Sequence, residues 1–155
     1  MRLEDFRQVV EHVRTANYPK RALYVAAVQP RLITNSIHGL DVHQVELIKN
    51  PSDQESPELY LERRLSEICK EFAETRKEPS ALIILDAVLL ARYSVSLAPL
   101  LSKAISPRSM AILCLPGAAQ TSSLMGLSEV VDHDFSQPLQ RLEKQIGGQD
   151  CTIEE

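Results

Sequence analysis

Apolar residues follow two rhythms along this chain, one with the period of a helix and one in short unbroken runs. Leu3, Phe6, Val10 and Val13 recur at helical spacing with charges between them, which predicts an amphipathic helix over residues 3–16, ended by Asn17-Tyr18-Pro19. Arg21 to Val28 is a nearly continuous apolar run, short and β-branched enough for a buried strand, and Gln29-Pro30 stops it. Residues 30–40 read as a loop or short helix. Val42 to Ile48, with Val45 and Leu47 alternating around Glu46, is a second strand candidate. Asn50 to Pro57 is a polar loop. Ser56-Pro57-Glu58 then starts a helix, with Ser as the cap, Pro at the first helical position and Glu in the positive first turn. Leu61, Leu65, Ile68 and Phe72 form its apolar stripe, and it should stop before Pro79.

The second half repeats the alternation. Ala81-Leu82-Ile83-Ile84-Leu85, closed by Asp86, is the strongest strand. Leu97 to Ile105 reads as a helix, Met110 to Leu115 as a fourth buried strand closed by Pro116-Gly117, and residues 118–135 are ambiguous, with Glu129-Val130-Val131 a short edge-strand candidate. Ser136-Gln137-Pro138 caps a last helix carrying Leu139, Leu142 and Ile146 on one face and ended by Gly147-Gly148. Apolar strands alternating with amphipathic helices predict an α/β fold, a mainly parallel sheet covered by helices on both sides. Residues 22–28, 81–85 and 110–115 should be adjacent parallel strands. The expected organisation is a single domain over residues 1–146 and a mobile acidic tail over 147–155.

Composition agrees with that picture. A chain of 155 residues with 44% hydrophobic and 25% charged residues can bury a core unaided. With 5% aromatics and no Trp, that core must be mostly aliphatic. The net charge of −4 does not favour a nucleic-acid-coating protein, leaving nucleic acid as at most an indirect partner. Cys69, Cys114 and Cys151 are odd in number and widely spaced, so they suggest neither a disulfide framework nor a zinc site and fit a reducing, cytoplasmic setting. No apolar run approaches the ~20 residues of a membrane span, and the charged N-terminus has no secretory signal pattern.

Asp86 is the clearest chemical candidate. An apolar strand ending in Asp has the shape of a Walker B element, where the carboxylate stands beside a nucleotide and holds Mg²⁺ through water; the same residue also serves as a loop former or helix cap. Its partner would be a phosphate loop, G-x-x-x-x-G-K-[ST], after the first strand. Here Gln29-Pro30-Arg31-Leu32-Ile33-Thr34-Asn35-Ser36 follows instead, no glycine precedes Gly39, and the chain has no Gly-Lys dipeptide. Ala87 follows Asp86, so the acidic base that many ATPases use to orient water is missing too. His12, His38, His43 and His133 show no metal-ligand spacing. Leu89-Leu90-Ala91-Arg92-Tyr93 mixes apolar bulk with residue types enriched at interfaces, and core packing is its other reading.

The stretch Leu82-Ile83-Ile84-Leu85-Asp86, Val88-Leu89-Leu90, Leu97-Ala98-Pro99-Leu100-Leu101 and Ala111-Ile112-Leu113-Cys114-Leu115-Pro116-Gly117 resembles the second half of small P-loop proteins of BREX phage-exclusion systems, the BrxF-like group. The likeness covers about a quarter of the chain and is one of pattern; the family's phosphate loop has no counterpart after Val28. It implies a degenerate P-loop NTPase-like three-layer core, with Asp86 as a former Mg²⁺- or cofactor-site residue, and a role in a bacterial antiviral assembly. The expected function is that of a non-catalytic complex subunit that binds other protein subunits, itself included, through the carboxyl edge of its sheet. Leu89, Leu90, Arg92 and Tyr93 would be the contacts there, with Gln29, Arg31 and Gln120 as a polar rim. No cofactor is expected. The alternatives are an atypical Mg-dependent nucleotide-binding enzyme using Asp86 and a nucleic-acid-associated accessory protein.

Overall fold

The computed structural model describes residues 1–15, 22–49, 55–115, 136–147 and 151–154. In chain order the elements are α1 (Leu3–Arg14), β1 (Leu23–Ala26), α2 (Pro30–Ser36), β2 (Asp41–Val45), α3 (Pro57–Thr75), β3 (Ser80–Ile84), α4 (Val88–Arg92), a π-helical turn (Leu100–Ala104), β4 (Ser109–Cys114), α5 (Ser136–Ile146) and β5 (Thr152–Ile153). The strands form one open sheet in the order β2-β3-β4-β1-β5, and every pairing is parallel. The three strands expected to be neighbours are neighbours: Leu82 lies beside Ala111, and Ala111 beside Leu23.

Alternation along the strands divides the core into two layers. Leu23, Val25, Leu82, Ile84, Ala111 and Leu113 face α3, α4, the π-turn and α5. Tyr24, Ala26, Ala81, Ile83, Met110 and Ile112 face α1 and α2 through Phe6, Val10, Val13 and Ile33. Two-sided burial explains why β1, β3 and β4 are apolar at nearly every position. The helices obey the same logic. The predicted stripe of α3 is buried in full, and Ser56 caps it by accepting the Leu59 N–H at 3.3 Å.

The connection from β1 to β2 runs one way along the sheet with α2 on the second face. Those from β2 to β3 and from β3 to β4 run the other way with their helices on the first face, so all three share one hand.

Two expectations, the end of β2 and the tail, need correction. β2 ends at Val45, not Ile48, because the Leu47 and Ile48 N–H groups turn to a side chain instead of a strand. The helix read over 97–105 is present from residue 98, and its main part, Leu100–Ala104, is a π-helical turn; Arg76 caps its end, donating to the Ala104 carbonyl at 2.6 Å. Residues 88–92 form a helix of their own. The tail is not mobile at residues 151–154: Thr152–Ile153 extend the sheet beside β1, and Cys151 and Ile153 are fully buried. The outer side of β5 meets the start of the chain, where the Met1 ammonium donates to the Thr152 carbonyl at 2.9 Å and Glu154 N–H to the Met1 carbonyl at 2.8 Å. The ambiguous segment 118–135 and the Glu129-Val130-Val131 candidate lie outside the described residues.

Candidate functional site

The parallel strands bring their carboxyl ends into one row. Leu85 N–H donates to Val45 O at 3.0 Å, Ala87 N–H to Cys114 O at 3.2 Å, Leu115 N–H to Ala26 O at 3.1 Å and Ala27 N–H to Ile153 O at 2.9 Å. Ligands of open α/β sheets bind at this edge, where neighbouring strands send their connections to opposite faces. β1 and β4 are such neighbours, since α2 packs on the second face and α5 on the first.

The β1 side of that crevice is three residues long. Ala27, Val28 and Gln29 lead straight into Pro30 at the first position of α2. Gln29 has extended backbone, Val28 is buried, and Pro30 has no N–H to offer. A phosphate nest needs successive N–H groups turned inward by left-handed backbone. Among the described residues positive φ occurs only at Gly39, Ser94 and Gly147, none of them here. Gln29 and Arg31 are exposed on this rim; Gln120, expected beside them, lies outside the described residues.

Asp86 stands at the end of β3, 2% exposed. One oxygen accepts the Leu47 N–H at 2.6 Å and the other the Ile48 N–H at 3.1 Å. Both donors belong to the loop after β2, on the opposite side of β3 from β4. Each carboxylate oxygen is therefore engaged away from the β1–β4 crevice. Burial pushes the carboxyl above its ordinary range, and the two backbone N–H groups pull it partway back.

The same loop is held on its other side from α3. The Tyr60 hydroxyl accepts the Lys49 N–H at 2.8 Å and donates to the Lys49 carbonyl, while Arg64 donates to the carbonyls of Leu47 (3.2 Å) and Glu46 (3.1 Å). Arg63 lies over the Tyr60 ring at 5.3 Å and is paired with Glu55 and Glu67. Tyr60 and Arg64 were missed as site-building residues because a Tyr at a helical core position and an Arg among glutamates look like packing and surface charge.

The proposed partner contacts divide. Leu89 and Leu90 are fully buried in the chain's own first-face core, so neither can touch a partner while the protein is folded; that expectation is corrected. Arg92 and Tyr93 are half-exposed at the end of α4, with Tyr93 packed against the same core. The His43 Nε2–H donates to the Asp41 carboxylate at 2.8 Å, and the ring meets Phe72 edge-on at 5.0 Å, near the amino end of the sheet. His12 and His38 are exposed, and His133 lies outside the described residues. Among the described residues no group of three His, Cys, Asp or Glu side chains could hold a metal, and no helix is long and apolar enough to cross a membrane.

No protein-family model matches the chain, and no curated protein or solved structure is found to be similar to it.

Proposed function

We propose that this protein is a non-catalytic, degenerate P-loop-like α/β subunit that acts through protein–protein contacts, in a multi-protein assembly of the bacterial antiviral kind. The strand order supports the P-loop-like part. It sets the end of β1, where a phosphate loop would stand, and the end of β3, where a Walker B carboxylate would stand, on either side of β4. The observation that carries the non-catalytic part is the Ala27-Val28-Gln29 connection, which is too short and too poor in glycine to cradle a phosphate. Asp86 agrees with it, since its carboxylate holds a loop.

With no reactive constellation among the described residues, the protein is read as working through its surface. The surface proposed is the carboxyl edge around Gln29 and Arg31, extended by Arg92 and Tyr93, and the partners are other subunits or further copies of the chain. The test has two parts. Purified protein with millimolar Mg-ATP should show an unchanged melting temperature, since a ligand at 100 times its Kd would add about 2.7 kcal/mol, and it should not hydrolyse ATP. Steady turnover overturns the reading. Separately, Arg31→Glu combined with Tyr93→Ala should leave the circular dichroism intact and reduce co-purification of native partners. Unchanged co-purification removes this edge as the contact surface.

A further inference from the structure

The helices α4 and α5 border an open cleft of about 490 Å³, whose described lining is Ala91, Ser94, Arg141, Lys144 and Gln145. None of these residues belongs to the carboxyl-edge surface proposed above. Among the described residues the lining holds two cations, a hydroxyl and a carboxamide, and no carboxylate. Arg141 and Lys144 are three residues apart on α5, so they project from the same helix face. Neither Arg141 nor Lys144 has a carboxylate within ion-pair distance among the described residues.

Two of these groups, Arg141 and Gln145, are held in place. Arg141 gives one N–H to the Ala91 carbonyl at 3.2 Å, which fixes the guanidinium and leaves further donors of its fork. Gln145 clips the chain beyond Ser94, accepting the Leu97 N–H at 3.1 Å and donating to the Val95 carbonyl at 3.2 Å. Ser94 itself is the one described non-glycine residue with positive φ, at 51°. It caps the end of α4, its N–H donating to the Ala91 carbonyl at 3.2 Å and the Val95 N–H to the Leu90 carbonyl at 2.8 Å, and this turn brings Ser94 to the cleft.

We propose that this cleft binds a small phosphomonoester. Two cations balance a phosphate dianion, an arginine fork matches its oxygens in pairs, and a hydroxyl supplies a further donor. The volume exceeds that of inorganic phosphate and falls within the range of ligand pockets, roughly 300–1,000 Å³, so an organic group would accompany the phosphate beside Ala91.

The test is titration of the purified chain with inorganic phosphate, phenyl phosphate and benzoate, followed by amide NMR and calorimetry. Phenyl phosphate should bind more tightly than either of the others and shift the Ser94 and Lys144 amides. Lys144→Gln touches no backbone carbonyl and should keep the fold while weakening binding by about tenfold, the loss of one charge-assisted contact. Arg141→Gln should weaken it further, and Lys70→Gln on α3 should not change it. Saturation unaffected by Lys144→Gln, amide shifts confined to other elements, or no binding at millimolar phenyl phosphate each overturn the proposal.

Discussion

Replacing Asp86 measures the stability that one side chain lends to the loop after β2. Asp86→Ala removes the acceptors of two buried N–H groups, those of Leu47 and Ile48. An orphaned buried donor costs about 1–3 kcal/mol, so the pair sets a loss of about 2–6 kcal/mol. Removing a carboxyl that burial disfavours in its charged form offsets part of this, which moves the expectation toward the lower half of that range. Asp86→Asn keeps one acceptor and turns an amide donor toward the other N–H, so it should cost about 1–3 kcal/mol. Urea denaturation at neutral pH, followed by circular dichroism, reads both values, and hydrogen exchange at the Leu47 and Ile48 amides should accelerate in parallel. The pH dependence has a definite sign. The carboxyl is raised above 3.8 in the fold, so from that pH upward, until the folded group ionises, the native state binds more protons than the unfolded one. Stability therefore falls as pH rises through that window. The margin of wild type over the non-titrating Asp86→Asn should be widest in acid and narrow toward neutrality. A loss under about 0.5 kcal/mol for Asp86→Ala, an effect no larger than an ordinary surface substitution, would refute the structural role. A margin that widens with pH would show that the two backbone bonds outweigh burial.

Two further outcomes follow from groups buried elsewhere in the sheet. Thr152 is 4% exposed and its hydroxyl has no hydrogen-bond partner among the described residues, so Thr152→Val, nearly the same shape without the polar atom, should raise the urea midpoint by an amount worth about 1 kcal/mol; a lower midpoint refutes the assignment. Cys69 and Cys114 are fully buried, and burial pushes both thiols up to about 12, so an aromatic disulfide reagent at pH 8 should label them only after urea is added. Above about pH 9 the unfolded thiols ionise while the folded ones stay protonated, so these two groups make stability fall as pH rises toward 12; rapid labelling of the native protein would contradict their burial.

The parts of the fold that were legible in the sequence depend on short-range pattern. β1, β3 and β4 announce themselves as apolar runs because helices cover both faces, and the start of α3 is written in Ser56-Pro57-Glu58. The parts that were not legible depend on distant partners. Asp86 looks like a metal ligand until the Leu47 and Ile48 amides, far back in the chain, are seen to fold onto it. Thr152 and Ile153 are too few to show a period, and the acids after them resemble a solvated tail; only their pairing with Val25 and Ala26 makes them a strand. Leu89 and Leu90 lie on a helix too short for its buried side to be read from spacing.

The position of β1 bears on how the chain reaches this state. Leu23 pairs with Ala111, and Val25 with Thr152, so β1 finds both of its neighbours far later in the chain. Closing such long loops costs entropy before any contact repays it, and topologies of this kind fold slowly. β2 and β3 join through a single helix, as do β3 and β4 through the α4 and π-turn segment, and these three can pair early. Until β4 and β5 are in place, Leu23-Tyr24-Val25-Ala26 has two unsatisfied edges and two uncovered apolar faces, features that make a folding intermediate prone to aggregate. Yield on refolding should accordingly fall with protein concentration, and a chain shortened before Thr152 should be recovered less well than its loss of equilibrium stability alone would imply.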